Sequence, residues 1–388
     1  MNHFQRYLNK LNPELLARSY PDDFPAEMIV VIPCYNEKDL PLTLHSLLEC
    51  DPSDAKVLGV IVFNSSERST QAGIEQNRIS CNEILQFSHE NNTKNIRFFP
   101  LLFENLPRKH AGVGLARKIG MDLAIDHFYK TDNPLGILIS LDADCTVSPN
   151  FLNDIYFAFR ENENLNATIH NFRHRVDKNN PKIEIAIRQY ESYIRYFRNS
   201  LRDAGFPYYY HTIGSAFAVS AHAYVRVGGM GRQQGGEDFY FLQKVFALGN
   251  IKELNNVFVY PMARFSDRVP FGTGPALQKI MDEPDGEMKV YSPESFAALK
   301  ELFATKDRFF KKDRAFIEQE IKKIHPFLTK FLMETDFLSQ VEDCNRNSAT
   351  LAAYQKRFFH HFNAFRIIKY LNAAHDNAFS LVPLNTVF

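Results

Sequence analysis

Four short, continuous apolar runs precede Cys145: Met28–Ile32, Val57–Phe63, Ile96–Leu101 and Ile137–Leu141. Each has the length of a strand and is rich in Val, Ile and Phe. A strand with one wet face alternates apolar and polar residues. These runs do not alternate, so both faces must be covered, as in a parallel sheet layered between helices. Helical patterns lie between them at Leu40–Leu48 and at Gly114–Phe128, where Leu115, Ile119 and Leu123 recur four apart on one face. Strands alternating with helices predict an α/β sheet, mostly parallel, with right-handed crossovers and ligands at the carboxyl ends of its strands.

Beyond Pro149 the pattern changes. Pro181–Ala204 reads as a long helix with Asn180 as N-cap, Pro181 in the first turn and Gly205 as terminator. Arg188, Arg195, Arg198 and Arg202 form its solvated face. Prolines and glycines make Tyr260–Pro275 a loop. Ser292–Leu332 and Ala349–Leu371 read as helical, the second by the stripe Leu351, Tyr354, Phe358, Phe362, Phe365. The adjacent Lys356, Arg357, His360 and His361 suit either the wet side of a packed helix or peripheral contact with a membrane surface. The expected organisation is an N-terminal helical segment at 1–27, an α/β domain at 28–275 and a helical region at 276–388.

The chain has 388 residues, and its 45 basic and 45 acidic side chains cancel. That balance gives no global attraction to nucleic acid. Arg6, Lys10, Glu14 and Arg18 interrupt any signal-like apolar stretch, and no apolar run approaches the roughly 18 residues of a membrane span. Five cysteines without CxxC spacing suit a reducing compartment rather than a disulfide framework or a zinc site. A cytoplasmic protein is expected.

The most informative segment is Ile137-Leu-Ile-Ser-Leu-Asp142-Ala-Asp144-Cys-Thr146. Two carboxylates leave a buried strand at spacing i, i+2, which in extended chain points both side chains to one face. Such an oxygen pair suits a hard divalent cation, manganese or magnesium. The local pattern resembles two enzyme classes. Asp142-Ala-Asp144-Cys-Thr146 fits the DxDxT of haloacid dehalogenase-type phosphatases, but no downstream acidic GDxxxD-like pair accompanies it. Metal-dependent glycosyltransferases of the GT-A fold use a similar DxD against a sugar nucleotide.

The remaining motifs follow the second pattern in order. Pro33-Cys-Tyr35-Asn36-Glu37 resembles the opening of family 2 glycosyltransferases, and Asn64-Ser65-Ser66 stands where that family usually carries an acidic base-reading residue. Lys109-His110-Ala-Gly112-Val-Gly114-Leu-Ala-Arg117 is similar to its glycine-bearing helix start. Gly214-Ser215 and Gly235-Gly236-Glu237-Asp238 resemble its acceptor side. The resemblance implies donor binding by Pro33, Tyr35, Glu37, Asn64, Lys109, Arg117 and Asp142, and a cation on Asp142 and Asp144. It further implies a catalytic base at Asp238 or Glu237, with Gly214 and Ser215 toward the acceptor. Arg264 and Arg268, in the glycine-containing loop, are candidates to close on the donor diphosphate. His211 and His222 are weighed as metal or acceptor ligands, with a structural role favoured. The implied activity is hexosyltransferase-like: sugar transfer from a nucleotide-diphosphate sugar, UDP favoured, to an acceptor hydroxyl, with inversion. A phosphatase and a non-catalytic sugar-nucleotide-binding regulator are the alternatives.

Overall fold

The computed structural model describes residues 3–18, 20, 23–177, 180–233, 235–265, 272–284 and 286–388. It forms two compact units, Met1–Asn180 with Thr212–Pro275, and Pro181–His211 with Ala276–Phe388. The linear boundaries expected at 27/28 and 275/276 thus give way to an interleaved division in which the long helix 181–204 groups with the C-terminal chain.

The first unit is built on a sheet of β1 (Met28–Cys34), β2 (Val57–Ser66), β3 (Ile96–Leu106), β4 (Ile137–Ser140), β5 (Thr146–Val147), β6 (Ala167–Phe172), β7 (Phe217–Ser220) and β8 (Ile251–Tyr260). The order is β3-β2-β1-β4-β7-β6-β8-β5. Among the described residues β3, β2, β1 and β4 run parallel, as do β6 and β8, while β7 opposes both its neighbours and β5 opposes β8. The four apolar runs are β1 to β4, and every residue of β1 and β4 is buried, as two-sided covering requires. β8 escapes the apolar pattern because Glu253, Asn255 and Asn256 interrupt it.

Helices α1 (His3–Leu8), α2 (Pro13–Leu16), α3 (Leu40–Leu48), α4 (Gln71–Asn91), α5 (Val113–Lys130) and α6 (Phe151–Glu161) belong to this unit. The 21-residue α4 has no apolar stripe because the side it buries is Gly73, Asn77, Ser80, Ile84 and Ser88. α5 lies close on the sheet: a Cβ at Gly120 would stand 2.5 Å from Val31 Cγ1. The N-terminal segment packs on this same helix. Tyr7 donates to Asp122 Oδ1 at 2.6 Å and Tyr20 to the Gly120 carbonyl at 2.6 Å. Asp122 also accepts from Lys118 and Tyr224, so its buried charge is fully engaged.

The second unit opens with α7 (Pro181–Ala204), ended by Gly205 at φ +90°. After α8 (Ala221–Arg226) and α9 (Glu237–Phe246) of the first unit and α10 (Thr273–Asp282) at the boundary, it continues with α11 (Pro293–Thr305), α12 (Arg314–Ile321), α13 (Pro326–Met333), α14 (Phe337–Arg346), α15 (Leu351–His361) and α16 (Ala364–Asn377). α7 rests on α11 through edge-to-face Tyr196–Phe296, 5.8 Å between centroids. Its arginine face is laced with acids, Arg188 reaching both Glu191 oxygens at 3.0 and 3.1 Å. The single helix expected over Ala349–Leu371 is two, α15 and α16, because Asn363 caps the second by accepting from the Arg366 amide.

Tyr354, Phe358 and Phe362 are buried as their spacing predicts, but the break turns Phe365 outward to 38% exposure. The Arg366 guanidinium covers the rings of Phe337 and Phe362. Among the described residues no helix is long and apolar enough to cross a membrane. Phe358→Ala should therefore cost about 3–5 kcal/mol, whereas Phe365→Ala should stay within about 0.5 kcal/mol. Urea denaturation of the two variants checks the contrast.

Candidate active site

The carboxyl ends of β1, β2 and β4 and the start of α5 supply the site's residues. β1 runs into Tyr35, Asn36 and Glu37. Asn36 adopts φ +47°, and its amide donates to Asn77 Oδ1 at 3.0 Å. Asn77, on α4, also donates to the Asn64 carbonyl at the end of β2 at 3.2 Å. One buried amide thereby fixes the ends of two adjacent strands. The Asn64 side chain donates Nδ2 to the Gly112 carbonyl at 2.9 Å.

After β4, Asp142 and Asp144 emerge in a turn held from below. Thr43 donates to the Ala143 carbonyl at 2.8 Å, and Ser140 to the Gly214 carbonyl at 2.6 Å. Arg175 donates to the Asp144 carbonyl at 2.7 Å. Neither Asn77 nor Arg175 was suggested by the sequence; Arg175 sits in the Arg173-His174-Arg175 run just past β6, where only that cluster of bases marks it.

Two arginines organise the acids. Arg117, in the first turns of α5 and 2% exposed, donates to Asp142 Oδ1 at 2.5 Å and through Nη1 to Glu237. Burial alone would favour its neutral form, but Asp142, Glu237 and Asp238 more than reverse this and hold it charged. Arg264 donates to both oxygens of Glu37 and, at 3.1 Å, to Asp144 Oδ2. Burial pushes the Asp144 carboxyl up to about 6; Asp142 and Glu37 add to the rise and Arg264 opposes it.

Asp238 is the second residue of α9, which Glu237 begins after Gly236, whose φ of +72° is left-handed and natural for glycine. Burial raises its pKa to about 6, with Arg117 opposing and Glu237 reinforcing the rise. Gly214 faces the same acid: a Cβ there would lie 2.8 Å from Asp238 Oδ2 and 3.0 Å from both Arg117 Nη atoms. Ser215 is buried beside it.

Glu37, Asp142, Asp144, Glu237 and Asp238 are therefore gathered through Arg117 and Arg264. Pro33 is buried within β1, Tyr35 is half-buried above Gly73, and Lys109 is exposed on the turn before α5. Arg268 lies outside the described residues. His222 is exposed on α8, its ring 6.2 Å from that of His3, and His211 falls in the second unit. Among the described residues no three His, Cys, Asp or Glu side chains are grouped to hold a metal.

The model of the family described as "Glycosyl transferase family 2" matches residues 29–224. The chain belongs to that family. It is a glycosyltransferase, and its mixed sheet with a helical C-terminal region is the GT-A type of α/β fold. Family membership sets aside the phosphatase alternative for Asp142 and Asp144. Among solved structures, S. aureus TarS 1–349 is similar at a TM-score of 0.41 and 12% identity, covering 87% of this chain and 91% of that one. The same fragment in complex with UDP-GlcNAc gives 0.40 and 12%, again covering 87% and 91%. A further S. aureus TarS structure gives 0.40 and 12%, with 90% of this chain and 55% of that one covered. No curated protein matches this glycosyltransferase in sequence.

Gly214→Ala should drive a methyl group against both Asp238 Oδ2 and the Arg117 guanidinium. Transfer should fall by at least about tenfold while stability drops by about 1–3 kcal/mol, the usual cost of overpacking. Initial rates together with a urea titration test this.

Proposed function

We propose that this glycosyltransferase binds a nucleotide-diphosphate sugar with a divalent cation, manganese or magnesium, and transfers the sugar with inversion to an acceptor hydroxyl. The observation that carries the reading is the pairing of two carboxylate sets through Arg117: Asp142 of the DxD on one side, Glu237 and Asp238 on the other.

The donor set suits such a cation. Small hard dications are commonly held by one or two carboxylates plus substrate phosphates rather than by an all-protein cage, which is compatible with two carboxylates and no third grouped ligand among the described residues. Asp144 and Asp142 would hold it. When bound, it would supply Lewis-acid stabilisation of the departing diphosphate. The chain's own groups do the rest. Asn64, with its Nδ2 committed to Gly112, offers Oδ1 to a base that presents an N–H, as the imide of uracil does. Arg264, already bidentate on Glu37, has the planar fork that recognises phosphate oxygens.

Asp238 takes the acceptor's proton as the hydroxyl oxygen bonds to the anomeric carbon and the bond to the diphosphate oxygen breaks. A carboxyl with a pKa of about 6 is a stronger base than an ordinary aspartate and remains ionised at neutral pH. The base must be unprotonated, so kcat/KM should fall with falling pH, about tenfold per unit, once pH drops below about 6.

The test is sugar transfer, read as nucleotide diphosphate released in the presence of acceptor and cation. Asp238→Asn should lower it by about 10² to 10⁴ and retain donor binding. Near-normal transfer by this variant would remove Asp238 from the role. Donor binding without turnover by the unmodified enzyme under all conditions would favour a regulator instead.

A further inference from the structure

The resemblance leaves the base at either member of the Glu237–Asp238 pair, and geometry separates them. Glu237 is 2% exposed, and its Oε1 accepts from Arg117. Gly114, in the first turn of α5, lies against it: a Cβ at that position would stand 2.9 Å from Glu237 Cγ and 3.0 Å from Cδ. Glu237 is thus enclosed by α5 and tied to a buried cation, and among the described residues it has no open side from which an acceptor hydroxyl could deliver a proton. Asp238 is only half-buried. One of its oxygens accepts from the Phe239 amide at 2.7 Å, and the other faces the glycine at 214.

We infer that Arg117 and Glu237 are a positioning pair: the guanidinium, holding Asp142 through one nitrogen and Glu237 through the other, fixes the start of α9 relative to the DxD turn and thereby aims Asp238. This inference rests on the reading of Asp238 as base. Three links support it. The bond to Asp142 spans β4 and α5. The bond to Glu237 spans α5 and α9. Both are made by a rigid planar fork, which a lysine cannot imitate because its ammonium is a single point charge. The charged groups facing Asp238 are Arg117 from α5, Glu237 from its own helix and Asp142 after β4. A change at Glu237 must therefore be felt at Asp238 even though Glu237 does not touch the substrate.

Glu237→Gln and Arg117→Lys, made in the full chain and followed as kcat, donor KM and pH profile, test the pair. The glutamine carbonyl can still accept from Arg117, so the fold should survive, checked by a retained cooperative thermal transition, at a lower midpoint because the buried guanidinium loses one charged partner. Its loss of negative charge should move the acidic limb of kcat/KM to lower pH, with kcat reduced by no more than about tenfold. Loss by about 10² to 10⁴ together with disappearance of the limb would make Glu237 the base and overturn the inference. Arg117→Lys should lower kcat by at least about tenfold and move the limb to higher pH. Unchanged kcat and limb would overturn it too. If Arg117→Lys does not fold, Glu237→Gln decides alone. Asp238→Asn in the same assay separates the two readings: transfer that persists there refutes the base, whereas a silent pH profile in Glu237→Gln refutes only the positioning pair.

Discussion

A fully charged guanidinium buried among carboxylates is the constraint to which the rest of the first unit conforms. Arg117 is 2% exposed, and a buried ion of this kind is tolerable only while its partners stay within hydrogen-bond reach. Removing one partner of a buried pair typically costs about 3–5 kcal/mol, so β4, α5 and α9 are held in mutual register by the requirement that Asp142 and Glu237 both reach Arg117. Glycine is needed where these elements meet. Side chains at Gly114 and Gly214 would occupy the space of Glu237, Asp238 and Arg117 themselves.

The parallel half of the sheet was legible because its strands are covered on both sides and so are apolar without alternation. The other half was not. β6 buries Thr168 and His170, β8 is broken by Glu253, Asn255 and Asn256, and α4 buries a stripe of glycine, asparagine and serine, so neither apolar runs nor helical periodicity marked them. α7 was readable from its cap and terminator, but its allegiance to the C-terminal helices was not, since packing partners far apart in the chain leave no local trace. The same holds at the site. The acids stood out as motifs, whereas the partners of Arg117 lie 25 and 120 residues away and the helix-start reading gave no sign of them. Asn77 and Arg175 act through hydrogen bonds to backbone groups, which no motif encodes.

The site's charge then sets its chemistry. Glu37, Asp142, Asp144, Glu237 and Asp238 outnumber Arg117 and Arg264, and the carboxyl of Asp144 is raised to about 6 by its burial first and by the neighbouring acids second. Arg175 adds a further cation at the rim, 3.9 Å from Asp39. A donor diphosphate would bring more negative charge to a place already in deficit of positive charge among the described residues. The dication proposed here, entering with the diphosphate, would correct that balance and would give a role to two carboxylates in a turn with so many other acids nearby.

Isothermal titration of UDP into the protein, once with manganese and once with chelator, tests this charge argument most directly. Saturable binding with manganese and at least about a hundredfold weaker binding in chelator is the predicted result. Equal affinity under the two conditions would contradict it and assign the neutralising role to the arginines alone.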